Sequence, residues 1–242
     1  VRVAALYDVH GNLPALEAVL EEVEREGVDA VVVGGDVAAG YFPAQSLEAL
    51  QALGESAIWV RGNCEDELVT GTDGPLTGWP SRQLDADQLS FLGSLPLTAS
   101  LEVDGLGSVL FCHTTPASNE PILTSATPEA AFRSHLAGVR ENVVVAGHTH
   151  SQFVRQVEGI RYVNAGSVGM PYEAQPGAYW ALLGPDVEHR RTAYDLDDAA
   201  RRIRASGFPD AEQFVRENVL DVPTADSATE LFENMARERG ER

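Results

Sequence analysis

Five short apolar runs in the first 150 residues each stop at a polar side chain of the kind that binds ligands. RVAALY (2–7) runs into Asp8-Val9-His10, and DAVVV (29–33) into Gly34-Gly35-Asp36. AIWV (57–60) leads to Arg61-Gly62-Asn63, SVLFC (108–112) to His113, and ENVVV (141–145) to Gly147-His148-Thr149-His150. Short apolar runs bounded by glycine read as buried strands. Between the first three lie helical patterns. Asn12 is placed as an N-cap with Pro14 just inside it, and Leu13, Leu16, Val19, Leu20 and Val23 share a face until Gly27; a second short helix covers about 44–53. Strand–helix alternation requires parallel strands joined by crossover helices. In such sheets, ligands bind in the crevice beyond the carboxyl ends of the strands, where side chains from several loops converge.

The rest of the chain changes character. Residues 70–80 are loop-like, and a helix is expected over 85–93. Hairpins are expected around Asp104–Gly107, Glu158-Gly159 and Pro185-Asp186. Thr127 should cap a helix that has Pro128 at its first position and ends at Gly138. From about Asp195 the last fifty residues form amphipathic helices, with Ile203, Phe208, Phe214, Val215, Val219, Leu231 and Phe232 on the apolar side. We expect one domain over 1–242, with this helical extension packed on it. A lid or a homo-oligomer contact is its alternative role, and Arg201, Arg202 and Arg204 would then face an anionic substrate.

The chain has 37 acidic residues against 17 basic ones, all arginine, and a net charge of −20. That balance speaks against a polynucleotide partner, which needs clustered cations. It leaves room for a small anionic ligand, because bound metal ions reverse the local sign of charge. Cys64 and Cys112 make no disulfide framework and read as reduced thiols. The opening VRVAALYDVH is broken by Asp8 and is followed by no basic n-region or cleavage site, so no signal peptide is expected, and no stretch approaches the apolar length of a membrane helix. A cytoplasmic protein with no membrane partner is expected.

Taken together, the five loops offer two aspartates, one asparagine and four histidines. The i, i+2 spacing of Asp8/His10 and His148/His150 would aim both members of each pair one way on an extended strand. Each residue alone has a structural explanation as a cap or a turn. As a set they are an oxygen–nitrogen donor group suited to Zn²⁺, Mn²⁺, Fe²⁺ or Co²⁺. Seven donors exceed what one such ion with an open position takes, and they suit two ions sharing a bridging carboxylate.

In order, Asp8-Val9-His10, Gly35-Asp36, Gly62-Asn63-Cys64-Glu65, His113 and Gly147-His148-Thr149-His150 follow the pattern D-x-H, G-D, G-N-H-[DE], H, G-H-x-H. The chain therefore resembles the calcineurin-like metallophosphoesterase superfamily, over residues 3 to about 170. Asn164-Ala165-Gly166-Ser167-Val168-Gly169 is similar to a stretch of its small bacterial and archaeal members. The resemblance implies a four-layer α/β/β/α sandwich of two mixed β-sheets flanked by helices. It also implies a dinuclear centre, with one metal on Asp8, His10, Asp36 and His150 and the other on Asp36, Asn63, His113 and His148. Mn²⁺ is favoured, with Fe, Zn, Co or Ni compatible. The implied reaction is hydrolysis of a small phosphoester substrate by a bridging hydroxide, with Asp36, Asn63 and His148 at the catalytic centre.

One position departs from the pattern. Cys64 stands where the superfamily's histidine protonates the leaving group or stabilises the transition state. A thiol is a weak donor, so Cys64 cannot simply substitute for that histidine. Small relatives with cysteine at this place are associated with phosphodiesterase activity. We therefore expect a phosphodiesterase, with a cyclic nucleotide or another nucleotide-derived diester among the candidate substrates. A phosphomonoesterase or protein phosphatase is the alternative, and a non-catalytic metal-binding scaffold a more distant one. Asn12, Arg61 and Tyr172 are candidate substrate-binding residues. His135 and His189 read as structural or surface residues.

Overall fold

The computed structural model describes residues 1–242. The expected strands and helices are present in the expected order, with two helices besides: Asn63–Thr70, directly after the third strand, and Gly78–Ser81, in the stretch read as loop. The first half contains β1 (Val3–Leu6), α1 (Leu13–Glu26), β2 (Ala30–Val33), α2 (Pro43–Gln51), β3 (Ala57–Trp59), α3 (Asn63–Thr70), α4 (Gly78–Ser81) and α5 (Ala86–Ser94). Then come β4 (Thr98–Val103), β5 (Gly107–Cys112), α6 (Glu129–His135), β6 (Val143–Ala146), β7 (Phe153–Val157), β8 (Ile160–Asn164), β9 (Ala178–Leu183) and β10 (Val187–Thr192). The chain continues through α7 (Leu196–Ala205), α8 (Ala211–Val215) and α9 (Ala225–Glu238).

Two five-stranded mixed sheets result, in the orders β10-β9-β1-β2-β3 and β4-β5-β6-β8-β7. β1, β2 and β3 are parallel, as are β5, β6 and β8. The three hairpins supply the antiparallel edges. Strand alternation explains how the sheets stack. Val3, Ala5 and Tyr7 point into one core with Val109, Phe111, Val143 and Val145 of the second sheet. Ala4 and Leu6 point the other way, onto Leu16, Val19, Leu47 and Leu50 of α1 and α2. Val144 and Ala146 face outward onto Phe132 of α6. Because both faces of the central strands are covered, the runs are apolar throughout rather than alternating. The Tyr7 hydroxyl, buried between the sheets, donates to the Val145 carbonyl at 2.9 Å. The order is therefore helix, sheet, sheet, helix.

Three expectations need correction. α6 begins at Glu129 with Pro128 as its cap residue in extended backbone and stops at His135, before Gly138. The Thr127 hydroxyl is free to leave the helix because it is claimed by Glu233, to which it donates at 2.8 Å. In the C-terminal helices, Ile203, Phe208, Phe214, Val215 and Val219 pack with Tyr41 in a core of their own, but Leu231 is 59% exposed. Arg201, Arg202 and Arg204 pair with Asp198, Glu17 and Glu212, so their charge is met within the chain. No helix is long and apolar enough to cross a membrane.

Candidate metal centre

The seven donor residues come together at one edge of the sandwich, where β1, β2, β3, β5 and β6 all end. Asp8 follows β1, Asp36 follows β2, Asn63 opens α3 just after β3, His113 follows β5, and His148 and His150 follow β6. All are buried except the half-buried Asn63 and His148. Three groups form: Asp8, His10 and His150; Asp36, His113 and His148; and His10, Asp36 and Cys64, which spans the first two. Within each, donor atoms lie within 4.8 Å of one another. The first two abut, because His10 Nε2 is 3.8 Å and His113 Nε2 3.6 Å from Asp36 Oδ2. Asn63 joins the second group, its Oδ1 3.2 Å from His113 Nε2. The two histidines of GHTH thus fall in different groups.

Strand spacing is not what brings the pairs together. β1 ends at Leu6 and β6 at Ala146, so Asp8, His10, His148 and His150 lie beyond the pleat. Five of the seven non-glycine residues with positive φ are Asp8, His10, Asp36, His148 and His150, at φ 48–70°. Left-handed backbone is uncommon outside glycine, although Asp and His tolerate it better than branched residues do. Each such position costs on the order of 1–3 kcal/mol and persists only where its surroundings over-determine it. Cross-loop hydrogen bonds do so here: Asp8 N–H to Gly35 O, His10 N–H to Asp36 O, Gly147 N–H to His113 O, and His148 N–H to Asp8 Oδ2, all at 2.9–3.1 Å.

The electrostatics favour a cation. His10 Nδ1 meets the Ala39 carbonyl at 3.2 Å and His113 Nδ1 meets that of Gly34 at 2.9 Å. A carbonyl accepts only, so both rings carry a proton on Nδ1 and turn Nε2 into the site. Nε2 of His113 then faces the oxygen of Asn63 and two carboxylates. Asp8 Oδ1, His148 Nε2 and His150 Nδ1 are buried without a hydrogen-bond partner. Buried polar atoms are rarely left so. Burial lowers His10 to about 4 and His148 to about 3, keeping both neutral and able to ligate. Burial pushes Asp8 and Asp36 up, but the surrounding imidazoles outweigh it and hold both below the usual carboxylate range. Burial opposes charge on His113 as well, yet Asp36 and Asp8 raise it. The site therefore attracts positive charge, and its donor set fits divalent ions of the Mn, Fe, Co or Zn type.

Glu65 is quoted in the motif, but its role emerges only here. Fully buried, its Oε2 accepts from Asp36 N–H at 2.8 Å and Gly62 N–H at 2.7 Å, and its Oε1 from Val37 N–H at 2.8 Å. It ties the loop bearing Asp36 to the loop bearing Asn63. Cys64 N–H donates to Asp36 Oδ1 at 2.9 Å, adding a second tie. A side chain at Gly62 would collide with Asp36 Oδ1, so glycine is required at that approach. Asn119 Nδ2 donates to Gly62 O at 2.9 Å, and Asn164 Nδ2 to Gly147 O at 2.6 Å. No spacing rule marks Asn119. Asn164 lies in the recognisable NAGSVG stretch.

The Cys64 thiol is buried beside His10 and Asp36. Burial, and then the charge of Asp36, push it well above the ordinary thiol range. It is a neutral, poor acid. Tyr172 borders the first group, its ring centroid 4.9 Å from that of His150. Asn12 is not free for substrate. Its Oδ1 accepts from Ala15 N–H at 3.2 Å as the cap of α1, and its Nδ2 donates to Gly169 O at 2.9 Å. Arg61 Nε lies 3.3 Å from Asp66. His189 hydrogen-bonds Asn164 O at 2.9 Å, away from the donor groups. A cavity of about 590 Å³ reaches the second group, where Asn63 and His148 line it.

The model of the calcineurin-like phosphoesterase superfamily domain matches residues 1–184. The chain belongs to that superfamily. It is thus a hydrolase of phosphoric ester bonds. It is 30% identical over 194 residues to the phosphodiesterase YfcE of Escherichia coli K12, covering 74% of this chain and 85% of YfcE. The crystal structure of a metallophosphoesterase from Sphaerobacter thermophilus superposes with a TM-score of 0.69 at 28% identity, over 89% of this chain and 97% of the other. A Pyrococcus horikoshii protein, PH1004, superposes with a TM-score of 0.76 at 19% identity, over 92% and 99%, and shares the fold.

Proposed function

We propose that the chain is a metal-dependent phosphodiesterase acting on a small phosphodiester at a two-ion site. Asp8, His10, Asp36 and His150 would hold one ion, and Asp36, Asn63, His113 and His148 the other, with Mn²⁺ favoured. The observation that carries this reading is the pair of buried donor groups abutting at Asp36, with Asp8 Oδ1, His148 Nε2 and His150 Nδ1 buried and without a hydrogen-bond partner. When bound, such ions supply a nucleophile from water at neutral pH and neutralise charge on the phosphoryl oxygens.

The chain's own residues do the rest. Glu65 holds the Asp36 and Asn63 loops in register, and Asp8 fixes the GHTH loop through His148 N–H. Neutral His10 and His148 keep their lone pairs available at pH 7. Diester over monoester is supported by Cys64, whose raised thiol is a poor proton donor, and by the likeness to YfcE, itself a phosphodiesterase. Without a strong general acid, leaving groups that depart without protonation are favoured.

The test is turnover of bis-p-nitrophenyl phosphate and p-nitrophenyl phosphate by metal-stripped protein, with Mn²⁺, Fe²⁺, Co²⁺, Ni²⁺ and Zn²⁺ restored in turn. Metal-dependent cleavage of the diester, well above the monoester, is expected. Faster cleavage of the monoester would replace this reading with a phosphatase. Hydrolysis of neither substrate under any metal would refute it.

A further inference from the structure

The superfamily model matches the chain up to residue 184, and the last helix, α9, lies wholly beyond it. Yet α9 reaches the GHTH loop by two separate routes. The first runs through the segment before α6. Glu233 of α9 accepts from the Thr124 and Thr127 hydroxyls at 2.6 and 2.8 Å. Just past the helix, Glu241 accepts from Ile122 N–H and Arg242 donates to Ile122 O, both at 2.9 Å. Leu123, held between these ties, presents its carbonyl to the buried Thr149 hydroxyl at 3.1 Å. Thr149 is the residue between His148 and His150.

The second route is aromatic. The Phe232 ring centroid lies 6.0 Å from that of Tyr172, which in turn lies 4.9 Å from the His150 imidazole. Tyr172 N–H donates to His150 O at 3.1 Å, and Tyr172 O accepts from the Ser151 hydroxyl at 2.8 Å. Phe232 also borders a crevice with Thr149 and Ser151. Both histidines of the loop have left-handed backbone, at φ 70° and 58°. Such residues keep that conformation only where several neighbours hold it. Asp8 holds His148 N–H, and Asn164 holds Gly147 O and the Thr149 hydroxyl. The two routes from α9 add support at Thr149 and His150.

We infer that α9 is a positioning element of the metal centre, in which Phe232 and Glu233 hold the GHTH loop so that His148 and His150 each meet their own donor group. This rests on the two-ion reading. Both residues act through others: Glu233 through Leu123 and Thr149, Phe232 through Tyr172. Partners of this kind, outside the ligands themselves, are worth about 10–100-fold in metal affinity.

The experiment measures Mn²⁺ binding to metal-stripped protein by calorimetry, and amide hydrogen exchange over 148–151 before metal is added. Phe232→Ala and Glu233→Gln should each weaken Mn²⁺ binding about tenfold and speed exchange in the loop. Phe232→Leu, which keeps bulk against Tyr172, should recover most of the affinity. Val19→Ala is the control. It opens a cavity in the core at the middle of α1, lowers the melting temperature, and should leave loop exchange and Mn²⁺ affinity at the parent's values. Parent-like Mn²⁺ affinity in both α9 variants overturns the inference. So does an equal loss of affinity in Val19→Ala, which would make the effect one of general stability. If the parent itself binds no Mn²⁺, the two-ion reading fails and takes this inference with it.

Discussion

Replacing Glu233 with glutamine should loosen the C-terminal helix by an amount the structure allows us to work out in two ways. The carboxylate and the Arg242 guanidinium are only 8% and 7% exposed and meet at 2.7 Å. Glu233 Oε1 also accepts from the Thr124 and Thr127 hydroxyls, at 2.6 and 2.8 Å, and Oε2 accepts from Arg242 Nε at 2.8 Å. Burial pushes this carboxyl up, but the guanidinium and the hydroxyls outweigh it and bring it from 4.5 to about 2. A carboxyl depressed in the folded state contributes stability that is fully present above its unfolded value and is lost as pH falls through the folded one. The difference is worth about 3 kcal/mol, present above about pH 5 and gone near pH 2. Independently, breaking a buried ion pair costs about 3–5 kcal/mol. Glutamine keeps the volume and one acceptor, which places it at the low end, so the two routes agree. Urea unfolding of both proteins from pH 7 to pH 2, with hydrogen exchange on α9, is the assay. The gap between them should be about 3 kcal/mol at pH 7 and should close toward pH 2. A gap below about 0.5 kcal/mol at pH 7, or one that stays constant across that range, would refute the reasoning.

Two further substitutions address the site itself. Asp36→Asn keeps the oxygen that accepts from Cys64 N–H but removes the charge shared by the two donor groups. Metal affinity, read by calorimetry, should fall at least about tenfold and turnover at least about a hundredfold, with the fold intact by circular dichroism; unchanged turnover would rule out a bridging role. Cys64→Ala should leave turnover of bis-p-nitrophenyl phosphate within about threefold of the parent, because a neutral, buried thiol contributes little of the ~10²–10⁴ a general acid provides. A loss above about a hundredfold would make Cys64 the proton donor or a ligand after all.

Much of the fold could be read before any coordinates because strand and helix periods seldom conflict in this chain. Apolar runs of four to six residues, each followed by a ligand-type Asp, Asn or His, announced five of the strands, and Glu158-Gly159 and its counterparts announced the hairpins. Where the expectation failed, a distant partner had overridden a local signal. Thr127 in front of Pro128 has the chemistry of a helix cap, but Glu233, more than a hundred residues away, takes its hydroxyl. Leu231 obeys the helical period of α9 yet points outward, because the buried face there is set by Ala228, Glu233 and Ala236. A charged residue in the interior face of a helix is legible only once its partner, Arg242, is known.

The site shows the same division more sharply. Which residues could serve as ligands was readable from residue type and order, since Asp, Asn and His after strand ends have few other common purposes as a set. How they converge was not. The i, i+2 reasoning for Asp8/His10 and His148/His150 assumed a pleat that had already ended, and the true cause is left-handed backbone at five of the donor residues. That conformation is costly locally and cannot be inferred from side-chain identity, because what sustains it is hydrogen bonding between loops far apart in sequence. Asp8 serves both purposes: one carboxylate oxygen holds His148 N–H while the other faces the imidazoles. The strain and the donor geometry are thus one feature, and both are set by the meeting of the strand ends rather than by any single loop.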